Sequence, residues 1–503
     1  VADKLIIQKK NESIMLVGCD FGIAAELSEF FSFFVPGYKF MPAFRNKVWD
    51  GKIRLFNAQT HEVALGLLPY VKDFCKKRDY EIEYEDSPYG SPENFNNINP
   101  KEVMSFIKSL DLRSRNEEIE IRDYQFNAIC EGIRRKRAVL LSPTGSGKSL
   151  VIYALMRWFL HNYDQKVLII VPTTSLVRQM YSDFEDYSSA DQSWIPSDEC
   201  HVIYSGQPKI NINERVFIST WQSIYKLPPT WFEQFGIVFG DECHGFKSKS
   251  LTSIMNKSRN ASYRFGTTGT LDGTQTHQLV LEGLFGKLLK VTTTRQLQDE
   301  NTLADLNISM IVFKHSEETR KNFGQLSYHD EIEHLITDKK RNTFIRNLAL
   351  KQDGNTLVLF QFVEKHGKPL HEMIESRAEE GRKIFFVSGN TEASDREAIR
   401  KITEGQKNAI IVASLGTFST GINIRNLHNI IFASPSKSQI KVLQSIGRGL
   451  RKSDNGEAAK LFDLSDDLHW KNRKNYSLLH GIERLKIYKK EKFKYKIYEV
   501  EVE

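Results

Sequence analysis

Ala138-Val139-Leu140-Leu141-Ser142-Pro143-Thr144-Gly145-Ser146-Gly147-Lys148-Ser149-Leu150 is the stretch on which the fold turns. Its apolar start reads as a buried strand, its middle as a glycine loop, and an apolar helix opens near Leu150. Strand, loop and helix in that order make a phosphate cradle. Gly145 and Gly147 allow backbone N–H groups to turn inward, and the helix N-terminus adds the positive end of its dipole. Thr144, Gly145, Ser146, Gly147, Lys148 and Ser149 are therefore candidate ligands of ATP. Lys148 would meet the β- and γ-phosphates and Ser149 would hold Mg²⁺. Ser142 stands where the strict pattern has glycine.

A phosphate loop alone binds a nucleotide without hydrolysing it. The second half-site reads as Asp241-Glu242-Cys243-His244, directly after the apolar strand Ile237-Val238-Phe239. The end of a parallel strand presents such carboxylates to the crevice where ligands sit. Asp241 would hold Mg²⁺ through water, and Glu242 would orient and deprotonate the attacking water. Upstream, Gln125 in Arg122-Asp123-Tyr124-Gln125 can pair two-sidedly with an adenine edge. Alternatively, the tetrapeptide is a helix start with Tyr124 in the core. Downstream, Gln444, Arg448 and Arg451 fall on one face of a helix at i, i+4 and i+7. Two arginines and an amide there suit a γ-phosphate site supplied by a facing lobe, because arginine fingers stabilise transition-state charge. In isolation the same pattern is a solvated basic helix.

Short buried-type strands alternate with amphipathic helices from about Glu117. Val167–Val171, Thr356–Phe360, Lys383–Val387, Ala409–Val412 and Asn429–Phe432 read as strands of parallel α/β sheets. The expected fold is α/β, with two tandem RecA-like parallel-sheet lobes behind a small α/β accessory domain. The expected boundaries are 1–100 for the accessory domain and linker, 101–300 for the first lobe, and 301–503 for the second lobe with a basic tail. In the accessory domain, Ile23, Leu27, Phe30, Phe31 and Phe34 fall at helical spacing, and Lys52–Phe56 alternates like a strand. Lys39, Arg45, Lys47, Lys52 and Arg54 surround aromatics there. They read equally as a DNA-binding face and as solvated cations over a core of Phe30, Phe31, Phe34 and Trp49. The tail from Lys471 either touches phosphates or packs its aromatics on the second lobe.

The 503 residues are 40% hydrophobic and 26% charged, an ordinary globular composition. No apolar run approaches a bilayer span, and polar residues from Lys9 onward interrupt any signal-peptide pattern, so a cytoplasmic protein without a membrane partner is expected. The chain opens on Val1, which leads us to expect at least an initiator Met before it. Five scattered cysteines read as reduced thiols rather than a zinc site. A net charge of +7 permits a polyanionic partner without requiring one.

Taken in order, these motifs resemble superfamily 2 helicases, over about Ile121 to Asp463. The remaining stations of the resemblance are Val171-Pro172-Thr173-Thr174, Ser219-Thr220-Trp221-Gln222, Gly266-Thr267-Thr268-Gly269-Thr270, Leu359-Phe360-Gln361, Val387-Ser388-Gly389 and Ala413-Ser414 through Thr420-Gly421. The resemblance implies nucleic-acid contacts at Thr173, Thr174, Thr220, Trp221, Gln361, Ser388, Ser414 and Thr420. It implies coupling through His244, Thr268, Gly269, Thr270 and Gly421. Phe30-Phe31-Ser32-Phe33, Gly37-Tyr38-Lys39-Phe40 and Trp49-Asp50-Gly51-Lys52-Ile53-Arg54-Leu55 extend the likeness to DNA helicases of T-even-like bacteriophages. That group implies unwinding of branched DNA, such as R-loops, D-loops, Holliday junctions and stalled forks, in recombination-dependent replication and repair. A monomer is favoured over an oligomer without any motif deciding it, and phage replication or recombination proteins are candidate partners. A double-strand translocase and an RNA helicase share every motif. A non-catalytic scaffold would be expected to have lost Lys148, Glu242 or an arginine finger.

Overall fold

In the computed structural model, the described residues are 4–502, apart from 94, 205, 211, 247, 272–273, 301–305, 324–325, 418–423, 425–426 and 435–457. Contacts divide the chain into two compact units. One comprises residues 1–142 and 147–291, the other 143–146 and 292–503.

The first unit opens with a five-stranded sheet. Its order is Phe56–Asn57, Glu62–Ala64, Ile14–Gly18, Lys4–Lys9, Glu81–Glu85. Alternation along Lys4–Lys9 and Ile14–Gly18 puts Leu5, Ile7, Met15 and Val17 on one buried face. Helix Phe21–Phe30 starts where the Asp20 side chain accepts the Ile23 N–H, and it buries Ile23, Ala24 and Leu27 on that face. Helix Leu68–Lys76 adds Val71 and Phe74. Two expectations need correction here. Phe34 lies beyond the helix, on strand Ser32–Phe34, and is half exposed. Phe31 caps the helix end, so the aromatic period runs on after the helix has stopped. Lys52–Phe56 is two strands. Lys52–Arg54 pairs with Ser32–Phe34 in a separate ribbon, and Phe56–Asn57 joins the five-stranded sheet.

The same unit continues into a seven-stranded parallel sheet. Its order is Cys200–Ile203, Val216–Thr220, Lys166–Val171, Phe235–Asp241, Tyr263–Thr268, Arg137–Leu141, Leu288–Lys290. Val167–Ile170 and Ile237–Phe239 are wholly buried, as a sheet covered on both faces demands.

The second unit is built on another seven-stranded parallel sheet. Its order is Ile384–Val387, Ile410–Ser414, Thr356–Phe360, Asn429–Phe432, Ala459–Asp467, Leu306–His315, Lys494–Val502. The basic tail therefore forms helix Tyr476–Lys490 and then the edge strand Lys494–Val502, in register beside Leu306–His315. Both lobes are RecA-like, and the small α/β domain precedes them.

Candidate active site

Three neighbouring strands of the first sheet, Phe235–Asp241, Tyr263–Thr268 and Arg137–Leu141, run parallel. Their C-terminal ends therefore share one edge. The first delivers Asp241 and Glu242, the second Thr267 to Thr270, and the third the glycine loop.

Gly145 and Gly147 take φ +86° and +80°, a region that side chains disfavour. A Cβ on Gly147 would also overlap the Gln125 amide. Gln125 is buried, and its Oε1 accepts the Arg122 N–H at 3.0 Å, closing the first turn of helix Asp123–Arg135. Thus Gln125 backs the phosphate loop. Helix Lys148–Asn162 begins at Lys148, directly after the left-handed Gly147. Lys148 Nζ donates to Ser142 O at 3.3 Å and lies 4.0 Å from Glu242 Oε1. The Ser142 N–H donates to Thr268 O at 2.9 Å, tying the loop to the neighbouring strand end. Ser146 Oγ donates to Pro143 O at 2.7 Å within the loop containing Thr144.

Glu242 has φ 48° and ψ 47°, left-handed although it is not glycine. Such a conformation costs about 1–3 kcal/mol and persists only where surrounding contacts enforce it. It opens the short turn Cys243–Gly245 and aims the carboxylate back along the edge. Glu242 Oε2 lies 3.3 Å from His244 Nδ1, which is 3.1 Å from Thr268 Oγ1. The Thr268 hydroxyl donates to Thr270 O at 2.9 Å, so its oxygen is left to accept and His244 Nδ1 is the donor. Gly269 spans this pair. The Asp241 carboxyl is pushed up by desolvation and by the Glu242 charge, against the pull of Lys148.

Sequence reasoning missed several partners. The Thr267 hydroxyl donates to Asp241 Oδ1 at 2.6 Å. The two residues stand opposite each other in strand register, a signal visible only once pairing is known. Ser149 Oγ shares a hydrogen with Tyr187 OH at 2.8 Å. His277 Nε2 donates to His244 O at 2.9 Å, and no motif pointed to it.

The nucleic-acid candidates gather farther along that same edge of the first sheet, and at the C-terminal strand edge of the second. In the first sheet Val171 and Thr220 are register partners, so Thr173, Thr174, Thr220 and Trp221 follow adjacent strands. Thr173 caps helix Thr174–Tyr187 by accepting the Leu176 N–H. Gln222 Nε2 donates to Pro172 O at 3.4 Å, linking the two segments. In the second sheet Ser388 and Gln361 directly follow the adjacent strands Ile384–Val387 and Thr356–Phe360, and Ser414 ends Ile410–Ser414 between them. Ser414 Oγ donates to Thr417 Oγ1 at 2.7 Å, and the Gln361 N–H donates to Ser434 Oγ at 3.3 Å. Thr420, Gly421, Gln444, Arg448 and Arg451 lie outside the described residues.

On the accessory domain, Phe40 and Val48 are exposed beside Lys39, Arg45 and Lys47, which line an open hollow with Phe44, Trp49 and Asp50. Lys52 Nζ sits 5.0 Å from the Phe34 ring, and the Trp49 indole N–H donates to Lys52 O at 2.8 Å. Of the aromatics offered as core, Phe31 is wholly buried and Phe34 is not.

A parallel RecA-like sheet with a glycine loop, a strand-end Asp-Glu pair and a second such sheet defines a helicase-type ATPase. Residues 5–85 match the family described as DNA helicase UvsW, N-terminal. Residues 118–273 match the type III restriction enzyme res subunit, and 339–453 the helicase conserved C-terminal domain. The chain is 35% identical, over 95% of its length and 96% of the relative's, to the ATP-dependent DNA helicase uvsW of Enterobacteria phage T4. The crystal structure of T4 UvsW matches over 99% of this chain and 100% of that one, with TM-score 0.53 and 33% identity. The DNA 3'-5' translocase XPB2 of Sulfurisphaera tokodaii is 23% identical over 69% of this chain and 82% of its own. The chain belongs to the UvsW family of ATP-dependent DNA helicases, within superfamily 2.

Proposed function

We propose that this helicase hydrolyses ATP at the edge formed by Lys148, Asp241 and Glu242 and uses it to unwind or branch-migrate branched DNA. The observation that carries the hydrolytic reading is the left-handed Glu242, its carboxylate held between Lys148 and His244. In this reading Lys148 and the N–H groups of Gly145 to Ser149 bind the phosphates. Glu242 takes a proton from the attacking water, and His244 with Thr268 keeps its carboxylate aimed. Gln125 would meet adenine only by releasing the Arg122 N–H that its Oε1 holds here. Ser149 and Asp241 are hard oxygen donors of the kind Mg²⁺ takes, and the raised Asp241 is short of positive neighbours. They would hold the ion, which when bound neutralises phosphate charge. Our assignment of Gln444, Arg448 and Arg451 to the γ-phosphate rests on their sequence pattern alone.

Thr173, Thr174, Thr220, Trp221, Gln361, Ser388 and Ser414 would contact strand phosphates, for which hydroxyls, amides and capped helix starts are suited. The exposed aromatics and cations around Lys39 and Arg45 support a second DNA-binding face on the accessory domain. The branched character of the substrate rests on the family likeness.

The deciding experiment is ATP-dependent strand displacement on linear duplex, fork, Holliday junction and R-loop, with Glu242→Gln as control. Preference for branched substrates, lost in the variant, is expected. Translocation without displacement would instead favour a double-strand translocase; the XPB2 relative is named a DNA 3'-5' translocase. Stimulation by RNA alone would turn the reading to an RNA helicase.

A further inference from the structure

Helix Gln275–Phe285 is attached at both of its sides. Near its start the buried His277 donates from Nε2 to His244 O, and the His277 N–H donates to Thr274 Oγ1 at 3.3 Å. His244 belongs to the turn Cys243–Gly245 that Glu242 opens, and its own ring meets Glu242 Oε2. The helix therefore grips, by one hydrogen bond, the backbone of the residue that aims the carboxylate. At its far end Phe285 packs edge-on to Phe246, with ring centroids 5.1 Å apart. A Cβ on Gly240 would come within 2.8 Å of both rings, so the strand leading to Asp241 rests on this contact.

The other side of the same helix is embedded in the accessory domain. Leu279 belongs to the core formed by Leu5, Met15, Phe31 and Phe74. The Tyr70 hydroxyl donates to Glu282, whose other oxygen accepts Gln278 Nε2 and the Leu288 N–H at 3.0 Å each. Gly66 lies so close that a Cβ would overlap the Glu282 carbonyl. A Cβ on Gly283 would stand 3.1 Å from Ala64.

We propose that helix Gln275–Phe285 couples the accessory domain to ATP hydrolysis, with His277 as the positioning residue that transmits its placement to the Glu242 turn. Whatever shifts the accessory domain shifts a helix whose first turn holds His244. The proposal rests on the assignment of Glu242 as the water-activating group.

The test is steady-state ATPase of the full chain, with and without saturating forked DNA, together with thermal melting. His277→Leu should lower kcat about tenfold while KM for ATP stays within about twofold, the size expected for losing one aligned hydrogen bond. The melting temperature should hold. His277→Gln, which can place an amide N–H near the same carbonyl, should recover most of kcat. Tyr70→Phe should lower kcat by about twofold to threefold alone and by nothing further in the His277→Leu background, because both act through one helix. Unchanged kcat in His277→Leu, or a fall in kcat that tracks a fall in melting temperature, overturns the positioning role. Additive effects of the two substitutions overturn the coupling. Lys148→Ala serves as reference: hydrolysis surviving there would refute the assigned ATP site rather than the helix.

Discussion

Asp241 and Asp466 stand near the C-terminal ends of comparable strands, one in each seven-stranded sheet, and they titrate in opposite directions. Asp241 is pushed up by desolvation and by the neighbouring Glu242. Asp466 is fully buried, which by itself would raise it further. The Arg341 guanidinium, 3.1 Å away, and His315, 3.2 Å away, outweigh that burial and hold it below the usual carboxylate range. The same sheet closes its other charges too. Asp463 receives Arg484 and the Tyr488 hydroxyl, the latter at 2.7 Å. Equal architecture thus yields two outcomes. A carboxylate whose partners are supplied by the chain is structural, whereas one left short of positive charge suits a metal cation, the role proposed above for Asp241.

The largest effect is expected at the under-paired edge. Lys148→Ala or Glu242→Gln should lower ATP turnover by at least about a thousandfold, with the melting temperature preserved. Turnover near that of the parent chain would remove the catalytic half of the contrast. Next, Asp466→Ala leaves Arg341 buried without its carboxylate. Urea denaturation should show a loss of about 3–5 kcal/mol in the second unit's transition.

A third test uses His366, which sits between Ser434 Oγ at 3.0 Å and Asn342 Oδ1 at 3.2 Å. Burial, helped by the Arg341 charge, holds its imidazole down to about 3. The unfolded chain takes up a proton near pH 6.5 while the folded one resists, so this contribution to stability is present above 6.5 and is lost as pH falls from there toward 3. Denaturation at pH 7 and pH 5 should differ by about 2 kcal/mol on this account. His366→Gln should flatten that slope, and an unchanged slope would detach it from His366. Smallest is Asp241→Asn. Removing a destabilised charge while keeping a group able to accept from Thr267 should raise stability in nucleotide-free protein by about 1 kcal/mol, even as turnover is lost. A loss of stability there would show that Asp241 is paired after all.

Much of the fold was legible because buried parallel strands are uniformly apolar. Val167–Val171, Thr356–Phe360 and Asn429–Phe432 were bounded within a residue of the observed strands. The accessory ribbon was not. Phe34 continues a helical period without being in a helix, and the break after Arg54 in Lys52–Phe56 is dictated by two different pairing partners. In the candidate site, the loop and the Asp-Glu pair declared themselves through local spacing. Thr267, Tyr187 and His277 did not, since each acts on a group 26, 38 or 33 residues away in the chain.

A phosphate loop after a buried strand, an acidic pair after another, and the ordered stations of a superfamily 2 helicase are all written in the residue order. Those are local patterns, in which neighbouring residues specify the backbone that presents them. Which carboxylates the chain neutralises, and which it leaves short of positive charge, emerges only from the folded packing. It alone showed that one helix serves both the accessory core and the Glu242 turn. Charge balance and shared packing depend on residues brought together from distant segments, and spacing along the chain carries no record of them.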